Sequence, residues 1–245
     1  MKLTHVLFLA LALALVGCDP KPATSNGGDP APTSVDNTKP PTDAEGTEPN
    51  LAKLPDELKN EAYEYYGLSN PKPMDMEVLQ STNSTVLTGS QTNVLKSVKD
   101  GVAIFDIERT GGLAQMGMQS VKLKPDGIYL DEVNGTKIKT EEVEMPNDLT
   151  PGKTWTARMS FNSNGSSMDI TSQNTVKGTE KFKTKVGERE GILVISTGSG
   201  TLNGDPVRLN SKSWYVKGLG GVKSLLSMTN QKTKKTQTIT IQETK

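Results

Sequence analysis

The two side chains that most often carry out chemistry in proteins, histidine and cysteine, occur once each in this chain. They are His5 and Cys18, and both lie within the first eighteen of 245 residues. The absence of imidazole and thiol groups after residue 18 excludes Ser-His-Asp and Cys-His catalysis, zinc bound by histidine or cysteine, haem ligation and disulfides within one chain. We therefore expect no metal site, no cofactor and a protein that is not an enzyme.

Two acidic pairs, Asp131-Glu132 and Glu141-Glu142, are the remaining candidates for hydrolytic chemistry. Two carboxylates can cleave a glycosidic bond when they flank it. Neighbouring residues of a strand point to opposite faces, so neither pair is expected to form such a dyad. The scattered serines and lysines contain no Ser-Lys motif. A hydrolase that depends on carboxylates or on Ser-Lys chemistry is therefore the less favoured alternative to a binding protein.

Two Met-x-Met pairs and one glycine-rich segment could bind ligands. The methionines at 74–76 and 116–118 could hold copper through thioethers, but without imidazole or thiolate they fit better as gap-filling core residues. Segment 218–224 has Val222 between its last glycine and its lysine, whereas a phosphate-binding loop needs the two in direct sequence before a helix. We predict a bend or a β-bulge there.

The first seventeen residues have the pattern of an export signal. Lys2 and His5 precede the apolar run Val6–Val16, which is shorter than the roughly 20 residues that cross a bilayer core. The sequence Leu15-Val16-Gly17-Cys18 at its end resembles the lipobox of bacterial lipoproteins. The resemblance implies that signal peptide 1–17 is removed and that Cys18 becomes an acylated first residue.

The same resemblance implies a location and a partner. Two or three acyl chains, at about 0.8 kcal/mol per buried CH₂, hold a protein firmly on a membrane. Membrane lipid is thus the expected partner of Cys18, with the protein in the bacterial cell envelope and its folded part outside the cytoplasm. Asp19 resembles the inner-membrane retention signal of enterobacterial lipoproteins, or it is a plain linker residue. An ordinary secretory signal, in which Cys18 has no role, is the alternative.

Residues 18–53 are predicted to form a disordered tether. Seven of the fourteen prolines fall within residues 18–50, where Val35 is the only large aliphatic side chain. Such a segment cannot bury enough apolar surface to offset the entropy of ordering it. A tether of this length reaches on the order of 100 Å as polyproline II and about 30 Å as a coil, enough to clear the lipid headgroups.

A short amphipathic helix is predicted over residues 54–67. Pro55 and the two acids that follow it suit a first helical turn, and Gly67 suits a left-handed stop. One apolar stripe consists of Leu58, Ala62, Tyr65 and Tyr66. This stripe would dock on the following domain or, alternatively, on another protein.

Residues 84–245 are predicted to form an antiparallel β domain. Asn-Gly and Asp-Gly turns, such as those at 100–101, 134–135 and 203–204, separate short runs rich in β-branched residues. We expect about ten to twelve strands joined mainly by hairpins. The fold class is mainly β, with one strongly curved sheet of half-barrel or barrel-like form and a sandwich as the second choice.

The charge distribution argues against nucleic acid as a partner. The chain has 28 basic and 28 acidic side chains, and only 4% of its residues are aromatic. Residues 83–245 are mildly basic, but they lack the aromatic side chains that interleave with bases in single-strand binders. Lysines share one strand face at 181, 183 and 185 and crowd the last turn at 232, 234 and 235. We expect them to serve solubility and to protect sheet edges or, alternatively, to attract an anionic lipid or polymer.

One further segment carries a resemblance. Residues 214–223, Trp-Tyr-Val-Lys-Gly-Leu-Gly-Gly-Val-Lys, resemble a strand–bend–strand of TapB-like exported β-domain proteins, and Gly152-Lys153-Thr154-Trp155 is similar to a second segment of them. Gly221 departs from the usual aliphatic residue. The resemblance implies an exported, antiparallel domain and no established reaction.

Together these observations predict a membrane-anchored lipoprotein whose β domain binds an envelope protein, a lipid or a glycan without catalysing a reaction. The alternative is a structural or assembly lipoprotein that has no small ligand and uses its sheet edges and its helix for protein contacts.

Overall fold

The computed structural model describes residues 51–81, 85–138, 140–163 and 166–245. The predicted signal peptide, Cys18, Asp19 and the tether as far as residue 50 lie outside these ranges. The described helices are the short α1 (Glu61–Tyr65) and three 3₁₀ helices, at Leu51–Lys53, Asp56–Leu58 and Gly111–Met116. None of these helices has the length and apolar character that crossing a membrane requires.

The described strands all belong to one antiparallel sheet, which confirms the predicted fold class. They are β1 (Met74–Gln80), β2 (Val86–Lys99), β3 (Val102–Arg109), β4 (Gln119–Lys124), β5 (Gly127–Val133), β6 (Thr136–Lys137), β7 (Val143–Pro146), β8 (Thr154–Ser163), β9 (Ser166–Lys183), β10 (Glu188–Leu202), β11 (Asp205–Val216), β12 (Gly220–Asn230) and β13 (Thr236–Glu243). The sheet thus begins at Met74, ten residues before the predicted boundary.

Two meanders meet in the middle of this sheet. The strand order is β6-β5-β4-β3-β2-β1-β13-β12-β11-β10-β9-β8, with β7 paired to β5, so the last strand returns to the first. β5 and β10 are eight places apart and would lie about 40 Å from each other in a flat sheet. Ile128 of β5 and Ile192 of β10 nevertheless belong to one buried cluster. The sheet is therefore strongly curved, and it stays open because its outermost strands do not pair with each other.

The predicted hairpin turns set the antiparallel pairing of consecutive strands. Asp100, Asn134 and Asn203 have φ near 50° and each is followed by a glycine with positive φ. Two such residues in succession form the turn whose twist matches that of the strands it joins. They connect β2 to β3, β5 to β6 and β10 to β11.

The segment before the sheet differs from the single helix predicted over 54–67. It consists of two 3₁₀ turns and α1, because the side chain of Asn60 accepts a hydrogen bond from the N–H of Tyr63 and begins a new helix there. Gly67, with φ of 81°, ends the segment as predicted. We call residues 51–68 the plug. Its buried side chains are Leu54, Leu58, Ala62, Tyr63 and Leu68, all packed against the concave face of the sheet.

The interior of the curved sheet has two apolar clusters. The plug cluster joins the plug to Leu95, Phe105, Val121, Ile128, Val176 and Ile192, among other residues. The distal cluster contains Val78, Leu113, Leu130, Ile170, Leu209, Leu226 and Ile241, again among others. Several strands contribute residues of the same face to both clusters. The residues that lie between the two clusters on those strands form part of the candidate site.

On the outer face, a third cluster supports the segment that carries the TapB-like resemblance. Trp214 stacks on Phe182, with ring centroids 5.6 Å apart, and its indole N–H donates to a Glu180 carboxylate oxygen at 2.7 Å. Val222 is fully buried in the same cluster. The segment is a strand, a turn and a strand, as that resemblance implies.

Candidate functional site

The acidic pair Asp131-Glu132 lies on one face of the sheet, contrary to the prediction from alternation. Val121 pairs with Leu130 and Ser120 pairs with Glu132, so Asp131 is the extra residue of a β-bulge. Both carboxylates reach the ammonium of Lys137, at 2.6 and 3.3 Å, and Asp131 also contacts Lys122 at 3.0 Å. Burial opposes ionisation of Asp131, but these two lysines lower its pKa.

This bulge forms one wall of an outer cleft of about 280 Å³. Asp106, on another wall, accepts a hydrogen bond from Ser120 and lies 3.6 Å from Lys96. Each of the three carboxylates here thus has a lysine partner, and the cleft is a balanced ion-pair network. The second acidic pair forms no dyad either, since Glu141 is exposed and bound to Lys124.

The methionines mainly fill the core, and Met74 packs against the distal cluster beside Met76. Met76 and Met116 are buried in the distal cluster, whereas Met118 is 65% exposed. Among the described residues, no group of three or more histidine, cysteine or carboxylate side chains could hold a metal ion.

The glycine-rich segment 218–224 forms the turn and bulge predicted for it. Trp214 pairs with Lys223 and Tyr215 with Gly221, which leaves Val222 as the extra residue. The turn holds the end of the plug, because the N–H of Gly218 donates to the carbonyl of Glu64 at 3.0 Å. A Cβ on Gly220 would lie 2.7 Å from the carbonyl oxygen of Tyr66. Only glycine allows this approach, which fixes the position of Tyr66 inside the sheet.

A polar band separates the two interior clusters. Along β9, Met168 and Ile170 belong to the distal cluster and Val176 to the plug cluster, with Ser172 and Asn174 between them on the same face. Strands β10 and β11 repeat this order, with Ser196 and Gly198 in one and Ser211 and Ser213 in the other. Most of these small residues are partly exposed, although the residues on both sides of them are buried. The band therefore surrounds a space inside the sheet that water can reach.

Larger polar side chains from the plug and from several strands also face the interior of the sheet. We call them the interior polar layer: Tyr66, Asn93, Arg109, Gln119, Glu144 and Tyr215. Arg109 continues the inward face of β3 beyond Phe105 and Ile107, and Gln119 continues that of β4 beyond Val121. The inward residues of both strands are thus apolar near the plug and polar at the far end.

Glu144 reaches the interior through another bulge. Ile128 pairs with Met145 and Tyr129 pairs with Val143, so Glu144 is the extra residue of β7. Its carboxylate has no hydrogen bond or ion pair to any described residue. Burial raises the pKa of Glu144 to about 7, and its charge raises the pKa of both Tyr66 and Tyr215. The three side chains are therefore neighbours.

Arg109 is a half-buried cation whose hydrogen-bond acceptors are all neutral. Its guanidinium donates to Gln91 Oε1 at 3.1 Å, to the carbonyl of Gly117 at 2.9 Å and to Gln119 Oε1 at 3.5 Å. Desolvation lowers the pKa of Arg109 to about 10, so it stays charged at neutral pH. No carboxylate of the described residues forms an ion pair with it.

Several polar atoms of this region are buried without a partner in the described structure. They are Gln119 Nε2, Asn93 Oδ1 and Trp155 Nε1. The Gln119 amide lies close enough to the Tyr66 hydroxyl to favour its ionised form, but without the geometry of a hydrogen bond. Unsatisfied buried groups of this kind cost about 1–3 kcal/mol each, so their concentration in one place calls for a ligand or ordered water.

Sequence reasoning did not identify any member of the interior polar layer as a site residue. A signal exists for Arg109, which falls in phase with Ala103, Phe105 and Ile107, so a charge occupies a core-facing position. Glu144 carries no such signal, since it faces inward only because of the bulge. The predicted site residues Cys18 and Asp19 lie outside the described residues, so their roles stay predictions.

The fold is similar to that of two solved bacterial proteins. A candidate lipoprotein of Parabacteroides distasonis matches with a TM-score of 0.50 and 11% identity, over 74% of this chain and 97% of that one. A candidate exported protein with a YmcC-like fold, from Bacteroides fragilis, matches with a TM-score of 0.46 and 11% identity, over 72% of this chain and 95% of that one. No family model and no curated protein matches the sequence. At this level of identity, the first similarity shows a shared fold and nothing further.

Proposed function

We propose that this protein is a lipoprotein of the bacterial cell envelope that binds a small ligand inside its curved sheet. The lipobox-like sequence that ends at Cys18 supports the anchor, and the proline-rich segment after it supports a tether. The described residues form one folded unit, the plug and the sheet, which such a tether would hold away from the membrane. Asp19 would decide between the inner and the outer membrane if it acts as a retention signal.

The structural comparison agrees with this proposal. The Parabacteroides protein is a candidate lipoprotein, and it shares the fold over nearly its whole length.

The observation that carries the binding role is the interior polar layer. A half-buried guanidinium without a counter-ion and several buried, unpartnered polar atoms lie together inside the sheet. In a protein whose only task is structural, apolar residues at these positions would be at least as stable. A ligand that supplies the missing partners explains why the polar residues are there.

Replacing Cys18 with serine tests the anchor. Serine has no thiolate to accept a lipid, so the variant is expected to leave the membrane fraction entirely, whereas the unmodified protein stays in it through salt and carbonate washes. Mass spectrometry of the protein purified from membranes should show an acylated cysteine at the new N-terminus. Ser25→Ala, a change elsewhere in the tether, is the matched control and should stay in the membrane fraction. A membrane-bound, unacylated Cys18→Ser variant would refute the anchor.

Native mass spectrometry of the full chain carrying Cys18→Ser tests the ligand. The protein is expected to retain a small molecule when it is released gently from cells and to lose that mass after denaturation and refolding. An empty chain that instead carries a stoichiometric protein partner would favour the structural or assembly lipoprotein.

A further inference from the structure

We propose that the interior polar layer recognises an oxyanion, the carboxylate or phosphate group of a small molecule, through Arg109, Gln119 and Tyr66. This inference rests on the proposed binding function and names the chemical class of the ligand. It concerns only the concave side of the sheet and is independent of the outer cleft at Asp131.

The charge of Arg109 is not compensated by any carboxylate of the described residues. A guanidinium has five N–H donors, and three of those of Arg109 are directed at neutral acceptors: two side-chain amides and one backbone carbonyl. Two donors therefore have no acceptor within the described structure. A buried charge is normally paired, and an arginine fork matches the two oxygens of a carboxylate or phosphate.

The hydrogen-bond donors beside Arg109 also lack acceptors. Gln119 is only 3% exposed, and its Oε1 accepts from Arg109. The other polar atom of the Gln119 amide, Nε2, has no hydrogen-bond partner among the described residues. The turn at Gly218–Gly220 fixes the backbone of Tyr66 inside the sheet, and the charge of Arg109 and the amide of Gln119 both act to lower the pKa of its hydroxyl. A guanidinium, an amide N–H and a phenol hydroxyl thus meet at one place, and all three can donate to one oxyanion.

A neutral ligand would not satisfy this site equally well. A sugar hydroxyl could accept from Gln119 or Tyr66, but it would leave the charge of Arg109 unpaired. A carboxylate or phosphate accepts two parallel hydrogen bonds from an arginine and also compensates its charge, which a neutral acceptor does not. The site should therefore prefer an anion to its neutral isostere.

Glu144 makes this binding depend on pH. The groups that face it are Tyr66, from the end of the plug, and Tyr215, from β11, and both are neutral at physiological pH. When Glu144 is ionised, its charge repels an anion bound near Tyr66. When it is protonated, this repulsion disappears. Because burial raises the pKa of Glu144 to about 7, affinity should fall as pH rises from 6 to 8.

Calorimetric titration of the full chain carrying Cys18→Ser provides the test. The probes are octanoate, its neutral isostere octanamide and inorganic phosphate. Octanoate is expected to bind at least about tenfold more tightly than octanamide at pH 6, because only octanoate carries a negative charge that can pair with Arg109. Phosphate that binds equally well would show that a free oxyanion suffices, and phosphate that binds more weakly would show that the hydrocarbon contributes. Both results support an oxyanion site.

Two variants assign the effect to these residues. Arg109→Gln is expected to weaken octanoate binding at least about tenfold and to leave octanamide binding unchanged, whereas Arg208→Gln, on the exposed outer face, changes neither. If Arg109→Gln does not fold, the pH dependence of octanoate binding to Glu144→Gln tests the assignment, because glutamine cannot ionise. Its octanoate affinity should be the same at pH 6 and pH 8 and should equal that of the unmodified protein at low pH.

The outcomes separate this inference from the proposed function. Equal binding of octanoate and octanamide, or an octanoate affinity that does not change in Arg109→Gln, would overturn the oxyanion assignment and leave a ligand-binding interior intact. Binding of neither octanoate nor phosphate would overturn it as well. If, in addition, the protein from cells carries no small molecule, the proposed binding function itself fails.

Discussion

Replacing Glu144 with glutamine is expected to stabilise the protein by about 3 kcal/mol at pH 8 and to have no effect at pH 4. The pKa of Glu144 is about 7 in the folded protein, against 4.5 for an unperturbed glutamate. Between these two values the folded protein binds the proton more tightly than the unfolded chain does. Folding therefore becomes less favourable as pH rises from 4.5 to 7, and glutamine, which stays neutral, avoids this loss.

Urea unfolding of both proteins at pH 4, 6 and 8 measures this effect. The difference in the free energy of unfolding should increase with pH and level off above 7. Other carboxylates also titrate, since lysine contacts lower the pKa of Glu77 and Asp131 against the effect of burial. Their contributions weaken toward acid pH in both proteins, so they cancel in the difference. Glu108→Gln, an exposed change on the outer face of β3, is the control and should shift stability by less than about 0.5 kcal/mol at every pH. A pH-independent gain for Glu144→Gln would contradict a buried, ionised carboxylate.

The curved sheet was predictable because its signals are local. Turns such as Asp100-Gly101 and Asn134-Gly135 need positive φ at both residues, and the sequence places asparagine or aspartate before glycine at each. Short hairpins between such turns leave antiparallel meanders as the simplest topology. Strand β1 was missed because its acidic residues do not resemble a buried strand. Glu77, only 4% exposed, is accommodated there through ion pairing with Lys185 and a hydrogen bond from Gln242.

The interior site was beyond sequence reasoning for two physical reasons. A bulge reverses the phase of a strand, and the bulge at Glu144 directs its carboxylate to the face that alternation excludes. In addition, the interior polar layer combines residues from the plug and from strands β2, β3, β4, β7 and β11. These residues come together only because the open sheet curves around the plug. The spacing of residues along the chain does not encode that curvature.

The packing of the plug against the sheet depends on a few buried side chains, so a single substitution can disrupt it. Leu58→Ala is expected to destabilise the protein by about 3 kcal/mol, since Leu58 is fully buried in the plug cluster and alanine leaves a cavity. Leu225, 39% exposed on the outer face of β12, is the matched control, and Leu225→Ala should cost less than about 1 kcal/mol. Urea unfolding followed by tryptophan fluorescence measures both.

The same pair of variants tests whether the plug belongs to the cooperative unit that forms the site. The plug places Tyr66 in the interior, through the contact between its last residues and the turn at Gly218–Gly220. A single unfolding transition at lower urea concentration for Leu58→Ala would show that plug and sheet unfold together. If Leu58→Ala costs no more than Leu225→Ala, the plug docks only weakly and its apolar side chains are available to another protein. That result would remove Tyr66 from the oxyanion site and favour the structural lipoprotein over the ligand-binding one.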